Sequence, residues 1–151
     1  MTDIKIVATN RKAKHEYFIL DTHEAGISLQ GSEIKSIRAG HISLTEAYIS
    51  IAEREALLMD AHIAAYEQAG RYNHDPRRPR RLLLHRAEIR RLWNEVRQKG
   101  VTIIPLRIYL KEGRAKVEIA LAKGKKLYDK RADLAKRDAE REIERHLRQR
   151  E

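Results

Sequence analysis

At 151 residues the chain has room for one domain with a core of moderate size and an appendage. Its 32 Lys/Arg against 22 Asp/Glu leave a formal net charge of +10, the balance of a surface that meets phosphates. The absence of cysteine excludes disulfides, thiolate catalysis and thiolate metal sites, and no apolar run approaches the ~20 residues of a membrane span.

The start, Met1 to Lys5, lacks the apolar centre of a signal peptide, so a cytoplasmic location is expected. Residues 15–29 read as strand, with Tyr17 and Ile19, then Ala25, Ile27 and Leu29, alternating with polar positions. Gly31-Ser32 opens a short helix: Ser32 suits the N-cap, Ile34 and Ile37 share a face, and Gly40 ends it. A hairpin follows, in which Ala47, Ile49 and Ile51 alternate with Tyr48 and Ser50. Leu57, Met59, Ala61 and Ile63 alternate on its return. Residues 66–81 form a long connection without hydrophobic pattern, the kind that is functional or disordered. An amphipathic helix covers about 86–99, with Ile89, Leu92, Trp93 and Val96 on one stripe and Gly100 as its stop; Trp93 is expected in the core. A second hairpin pairs Ile104, Leu106, Ile108 and Leu110, across Glu112-Gly113, with Ala115, Val117, Ile119 and Leu121. Pro105 marks the first of these strands as an edge or as bulged.

Many short strands and a few small helices predict a mainly β fold, a closed or nearly closed antiparallel β-barrel. The OB-fold is a nucleic-acid-binding example of that architecture. From Lys123 to Glu151 the pattern changes: eleven Lys/Arg face seven Asp/Glu, and the only apolar stripe is Ala132, Ala135, Ala139, Ile143 and Leu147. So thin a stripe cannot offset the entropy of ordering, and this tail is expected to be disordered in the free protein and to fold along a polyanion. Subtracting its +4 (eleven minus seven) leaves +6 on the head, so both parts are basic. The expected organisation is a β-barrel RNA-binding domain at 1–122 and a basic C-terminal tail at 123–151.

Three basic clusters carry the possible chemistry. Arg77, Arg78, Arg80 and Arg81, spread by Pro76 and Pro79, are spaced to bind consecutive phosphates, or else form a solvated loop. Asn10-Arg11-Lys12-Ala13-Lys14-His15 is a second, weaker cluster with the same two readings. In Gly124-Lys125-Lys126-Leu127-Tyr128-Asp129-Lys130-Arg131, a tyrosine among cations either stacks on an unpaired base or folds back on the barrel rim. Beyond it, Arg137, Arg141, Arg145 and Arg148 share a helical face that tracks phosphates or is merely solvated. Catalytic patterns are poor. The seven histidines never take metal-ligand spacing with carboxylates, no phosphate-binding glycine loop appears, and the adjacent pair His74-Asp75 cannot by itself act as base and orienter. No enzyme activity, cofactor or metal is expected.

Five segments in register then point to one family: Asn10 to Ile19, Glu24-Ala-Gly-Ile27, Gly31 to Gly40, Asn73 to His85, and Ala122 to Arg131. Together they closely resemble the SmpB family, the SsrA-binding proteins of bacteria. The resemblance runs from about Asn10 into the tail. It implies an OB-like antiparallel β-barrel with small flanking helices, which agrees with the strand pattern. It also implies binding to the tRNA-like domain of transfer-messenger RNA and its delivery to stalled ribosomes, so that the stalled peptide is tagged and the ribosome released (trans-translation). Carried over to matching positions, the residues that meet this RNA are Asn10, His15, Glu24, Leu83 and Lys116, with Arg11 and Lys12 as neighbouring phosphate contacts. The tail becomes helical in the empty message channel, where Gly124, Lys125, Lys126, Tyr128, Asp129, Lys130 and Arg131 match the segment that engages the decoding centre. The implied partners are transfer-messenger RNA and the small ribosomal subunit, with the free protein a monomer. Past Arg131 the chain is Arg/Glu-rich and departs from the family pattern, and the first nine residues match no motif. Two other functions compete: a general OB-fold, ribosome-associated RNA-binding protein, and a metal-independent ribonuclease using His74 or His85.

Overall fold

The computed structural model describes residues 4–125 and Arg141. Strand β1 (Ile4–Thr9) leads through α1 (Ala13–Glu16) into β2 (Tyr17–Ile27) and α2 (Gly31–Arg38). Four short strands follow: β3 (Ile42–Ser43), β4 (Tyr48–Ile51), β5 (Ala56–Met59) and β6 (His62–Ile63). A 3-10 helix at Glu67–Tyr72 precedes β7 (Arg80–Leu83), α3 (Arg86–Lys99), β8 (Thr102–Lys111) and β9 (Arg114–Gly124). Seven strands form one antiparallel sheet in the order β1-β8-β9-β2-β7-β5-β4, and β3 pairs with β6 beside it. Bulges in β1, β2 and β8 bend the sheet, which curls until β4 lies close to β8. Among the described residues the curl stops short of a closed barrel, because β1 and β4 remain the two edges of the sheet.

Several expectations hold. The turn between β8 and β9 falls at Glu112 and Gly113, both at positive φ (53° and 77°), the twist that a two-residue hairpin requires. Helix α3 ends where Gly100 turns left-handed at φ 61°. Pro105 marks a bulge, and since β8 lies between β1 and β9 it is not an edge. That bulge has a consequence that simple alternation does not foresee. Ile108 and Leu110 face the main core, whereas Ile104 and Leu106 pack on the opposite face, because one inserted residue reverses the sidedness of everything before it.

The main core lies inside the curl: Val117, Ile119, Ile108, Leu58 and Ile63 are sealed from solvent, and Ile37 from α2 and Leu92 from α3 join them. Each such side chain stabilises the fold by ~1.5–3 kcal/mol on burial. A second, small core lies on the outer face, where Ala13 of α1 packs on Ile104, Ala120 and Ala122. Trp93 is only partly buried; Arg97 covers its ring at 4.2 Å, so the core stripe of α3 is Ile89, Leu92 and Val96. Residues 15 and 16 belong to α1 rather than to the strand. The N-cap of α2 is Gln30, not Ser32: Gln30 and Glu33 form the capping box, and Ser32 points inward. Strand β9 continues to Gly124, pairing Lys123 with Phe18 and Gly124 with Tyr17, and so takes in the first two residues of the expected tail. No helix among the described residues is long and apolar enough to cross a membrane.

Candidate nucleic-acid interface

The outer face of the sheet is ordered by strand register. Ile6 of β1 pairs with Tyr109 of β8, Tyr109 with Lys116 of β9, Lys116 with Gly26 of β2, and Gly26 with Leu83 of β7. A parallel row two residues away runs Thr9, Arg107, Glu118, Glu24. Gly26 leaves a gap in the first row, and a groove of about 400 Å³ opens there among Glu24, Arg81, Leu83 and Lys116. The position is tight: a Cβ there would stand 3.1 Å from the Leu83 Cβ, which would have to give by a few tenths of an ångström. Alternation along β7 buries Arg80 and Leu82 and turns Arg81 and Leu83 out, leaving Leu83 56% exposed.

Glu24 is the acceptor at the centre of this face. The Tyr109 hydroxyl donates to its Oε2, and Lys111 Nζ stands 3.6 Å from Oε1. The Tyr109 bond holds the carboxyl below its ordinary range against the cost of partial burial, and the charges of Lys111 and Lys116 reinforce it. Burial and the Glu24 carboxylate push the Tyr109 phenol well above its ordinary value, so it stays a donor. One row away, Arg107 donates to Glu118 at 2.8 Å.

Towards the other end of the same face, α1 presents its cations. Burial of Ala13 leaves Arg11, Lys12, Lys14 and His15 exposed. Asn10 fixes the entry to this helix: its amide donates to the Leu106 carbonyl at 2.8 Å and its Nδ2 to the Pro105 carbonyl at 3.0 Å. A second groove, about 410 Å³, joins Arg11 and Lys14 to Arg107 and Glu118, so the cations of α1 and the Glu24 rows form one continuous surface. Lys125, the first residue after β9, reaches the same corner: Nζ donates to the Lys14 carbonyl at 2.7 Å and lies 5.1 Å from the Phe18 ring centroid.

The structure thus gathers Glu24, Leu83 and Lys116 in one groove and brings Arg11 to the neighbouring row at Arg107 and Glu118, whereas Lys12 lines a separate hollow with Glu46 and Tyr48, His15 lies exposed on α1, and Asn10 braces the Pro105 bulge. Gly124 and Lys125 lie at the α1 corner; Lys126, Tyr128, Asp129, Lys130 and Arg131, with the rest of the tail and its expected disorder, lie outside the described residues. Tyr109, Lys111 and Arg107 alternate with the core residues Ile108 and Leu110 and so face outward, but no local signal in the sequence ties them to Glu24 and Glu118 on neighbouring strands.

The arginine cluster requires a correction. Arg80 is sealed from solvent: its Nε donates to Glu33 Oε2 at 2.5 Å and its Nη1 to the Ala61 carbonyl at 2.8 Å. Arg78 donates to Glu33 Oε1, and Arg77 pairs with Glu46 at 3.2 Å. Three of the four guanidiniums therefore bind carboxylates of this chain, and Arg81 alone faces the groove. His74 is equally committed. Nε2 donates to the Ile63 carbonyl at 2.9 Å, which in the neutral ring leaves Nδ1 to accept from Ser32 Oγ at 2.8 Å. A ring held so in the interior braces α2 and is not placed for acid–base work. Among the described residues no group of three or more His, Cys, Asp or Glu could hold a metal ion.

Residues 7–149 match the sequence model of the family described as "SmpB protein". The chain is 59% identical over 144 residues to an SsrA-binding protein of Desulforudis audaxviator, covering 95% of this chain and 94% of that one. It is 61% identical over 148 residues to an SsrA-binding protein of Chloroflexus aggregans, covering 97% and 94%. A chain from the solved structure "tmRNA-SmpB: a journey to the center of the bacterial ribosome" is similar at 49% identity and a TM-score of 0.64, covering 77% of this chain and 82% of that one.

Proposed function

This chain belongs to the SmpB family of SsrA-binding proteins, and from that premise we propose that it binds the tRNA-like domain of transfer-messenger RNA and delivers it to stalled ribosomes for trans-translation. The observation that carries the reading is the outer sheet face, where Lys116, Lys111 and Arg81 stand about a carboxylate held ionised at Glu24 and a second groove continues the face to the cations of α1. Phosphates alone would not be met by a carboxylate. Glu24 suits a ribose 2′-hydroxyl or a base amino group, the donors that a folded RNA offers between its phosphates. Lys116, Arg81, Arg11 and Lys12 neutralise phosphates, Leu83 packs on a base or sugar, and His15 extends the contact along α1. Asn10 holds the helix that carries these cations. The curled sheet acts as the OB-like barrel of the family, with β4 drawn towards β8 to give the face its curvature.

In this reading the head grips one RNA and the tail inspects another. The tail takes up a helix in the empty message channel, and Gly124, Lys125, Lys126, Tyr128, Asp129, Lys130 and Arg131 meet the decoding centre. The protein is a cytoplasmic, non-enzymatic adaptor, monomeric when free. A gel-shift titration tests the head. Binding to the tRNA-like domain is expected to exceed binding to random duplex at moderate salt, and Lys116→Ala to lower the slope of log K against log salt by roughly 0.7–0.9, one phosphate contact. Equal affinity for the two RNAs would sink the proposal.

A further inference from the structure

The loop between β6 and β7 is held more firmly than its composition foretells. Asn73 Nδ2 donates to the Tyr66 carbonyl at 2.7 Å and the Tyr66 amide donates to Asn73 Oδ1 at 3.0 Å, so one side chain closes the loop at its base as a paired strand would. The next residue is the buried His74, tied to Ser32 and Ile63. Within the loop Gly70 takes φ 56° and ψ −123°, a conformation that L side chains rarely adopt, and kinks the 3-10 helix. Lys35 of α2 lies 5.6 Å from the Tyr66 ring centroid. Directly before these anchors stands Tyr72, 76% exposed, the highest exposure of any large apolar side chain among the described residues. Its partner is Arg71, whose guanidinium lies 5.2 Å from the ring centroid and whose Nη2 donates to the hydroxyl at 3.4 Å.

Packing does not account for an aromatic ring at this place. Its neighbours Gly70, Arg71 and Asn73 do not supply the apolar patch that a protein partner would bury. They supply an open ring face with a cation attached. Arg77 and Arg78 nearby are engaged by Glu46 and Glu33, whereas Arg71 and Lys35 have no carboxylate partner among the described residues. Resting on the RNA-adaptor function above, we infer that the loop at 66–73 is a second RNA contact, in which Tyr72 stacks on an unpaired nucleobase and Arg71 takes the adjoining phosphate. Stacking tolerates any base, and a guanidinium can leave the ring edge for a bidentate phosphate bond without moving the anchored backbone. The Asn73 clamp presents the ring already in place, which lowers the ordering cost of binding. This contact uses neither the Gly26 groove nor the α1 cations, and it gives the protein a grip on a single-stranded or looped segment.

The full-length chain carrying p-benzoylphenylalanine at position 72, mixed with purified ribosomes and the tRNA-like RNA, tests this by photocrosslinking. A ribonuclease-sensitive adduct is the expected result; an adduct with ribosomal protein alone, or none, overturns the assignment. In binding assays against the crosslinked RNA, Tyr72→Ala is expected to weaken affinity about tenfold and Tyr72→Phe to stay near wild type, the scale and selectivity of one stack. Melting temperatures should match wild type for both, since the ring is exposed. Equal affinity of wild type and Tyr72→Ala for both RNAs also overturns it. A parallel gel shift of the wild-type chain on the tRNA-like RNA reports separately on the sheet face, so failure of one contact is not mistaken for failure of the other.

Discussion

Replacing Glu33 by alanine should unfold the protein far more readily than it changes RNA binding. Glu33 and Arg80 are both sealed from solvent. Without the carboxylate, the buried Arg80 guanidinium keeps the carbonyls of Ala61 (2.8 Å), Pro76 (3.0 Å) and Asp75 (3.3 Å) but loses its paired counter-charge, with only the weaker charge of Asp75 left nearby. Breaking a buried pair from one side costs ~3–5 kcal/mol. Loss of the Glu33 bond to the Gln30 amide, half of the capping box of α2, adds about 1 kcal/mol. Against a total stability of ~5–15 kcal/mol, this lowers the melting temperature by on the order of 10–20 °C. Thermal and urea unfolding followed by circular dichroism measure it. Acid should narrow the difference. Burial pushes the Glu33 carboxyl up, but bonds from Arg78, the Gln30 amide and Arg80 outweigh it and leave it below the ordinary range. A folded-state value below the unfolded one means that the stabilisation is complete above the ordinary carboxylate range. It drains away as pH falls through the lowered value, so wild type loses more on acidification than Glu33→Ala. Arg80→Ala, where folded, should keep the wild-type salt dependence of RNA binding. A melting temperature for Glu33→Ala within about 2 °C of wild type, together with a shallower salt slope for Arg80→Ala, would refute the structural role and restore these arginines as phosphate contacts.

Leu82 and Leu83 are adjacent and should behave oppositely: Leu82→Ala destabilises by ~2–5 kcal/mol in urea unfolding, whereas Leu83→Ala stays within about 0.5 kcal/mol and instead weakens binding of the tRNA-like RNA. Gly26→Ala is expected to weaken the same binding by pushing on Leu83, and the double change Gly26→Ala with Leu83→Ala to show less than additive loss in a gel-shift cycle. On the proposal that head and tail address different RNAs, removing Tyr128–Glu151 should leave affinity for that RNA near wild type and abolish peptide tagging in a reconstituted translation assay.

Much of this protein is legible in its sequence because the signals are local. The turn at Glu112-Gly113, the stop of α3 at Gly100, and the stripe Ile89, Leu92 and Val96 each follow from a few consecutive residues. The motifs that carry the family resemblance are likewise runs of neighbours, and Glu24 and Leu83 came from them alone. Chemistry by itself would not have set a carboxylate against RNA. Sequence therefore determined several turns and helix stops, the basic balance and the family. Tertiary structure decided sidedness and partnership. Whether Arg80 or Arg81 meets solvent depends on Glu33, 47 residues away, and a cation is interior only where a distant carboxylate awaits it. The row Ile6, Tyr109, Lys116, Gly26, Leu83 is drawn from five strands, and the Pro105 bulge sets which side of β8 contributes to it. Alternation tells that neighbouring residues face apart; only the assembled sheet tells which of them face the core.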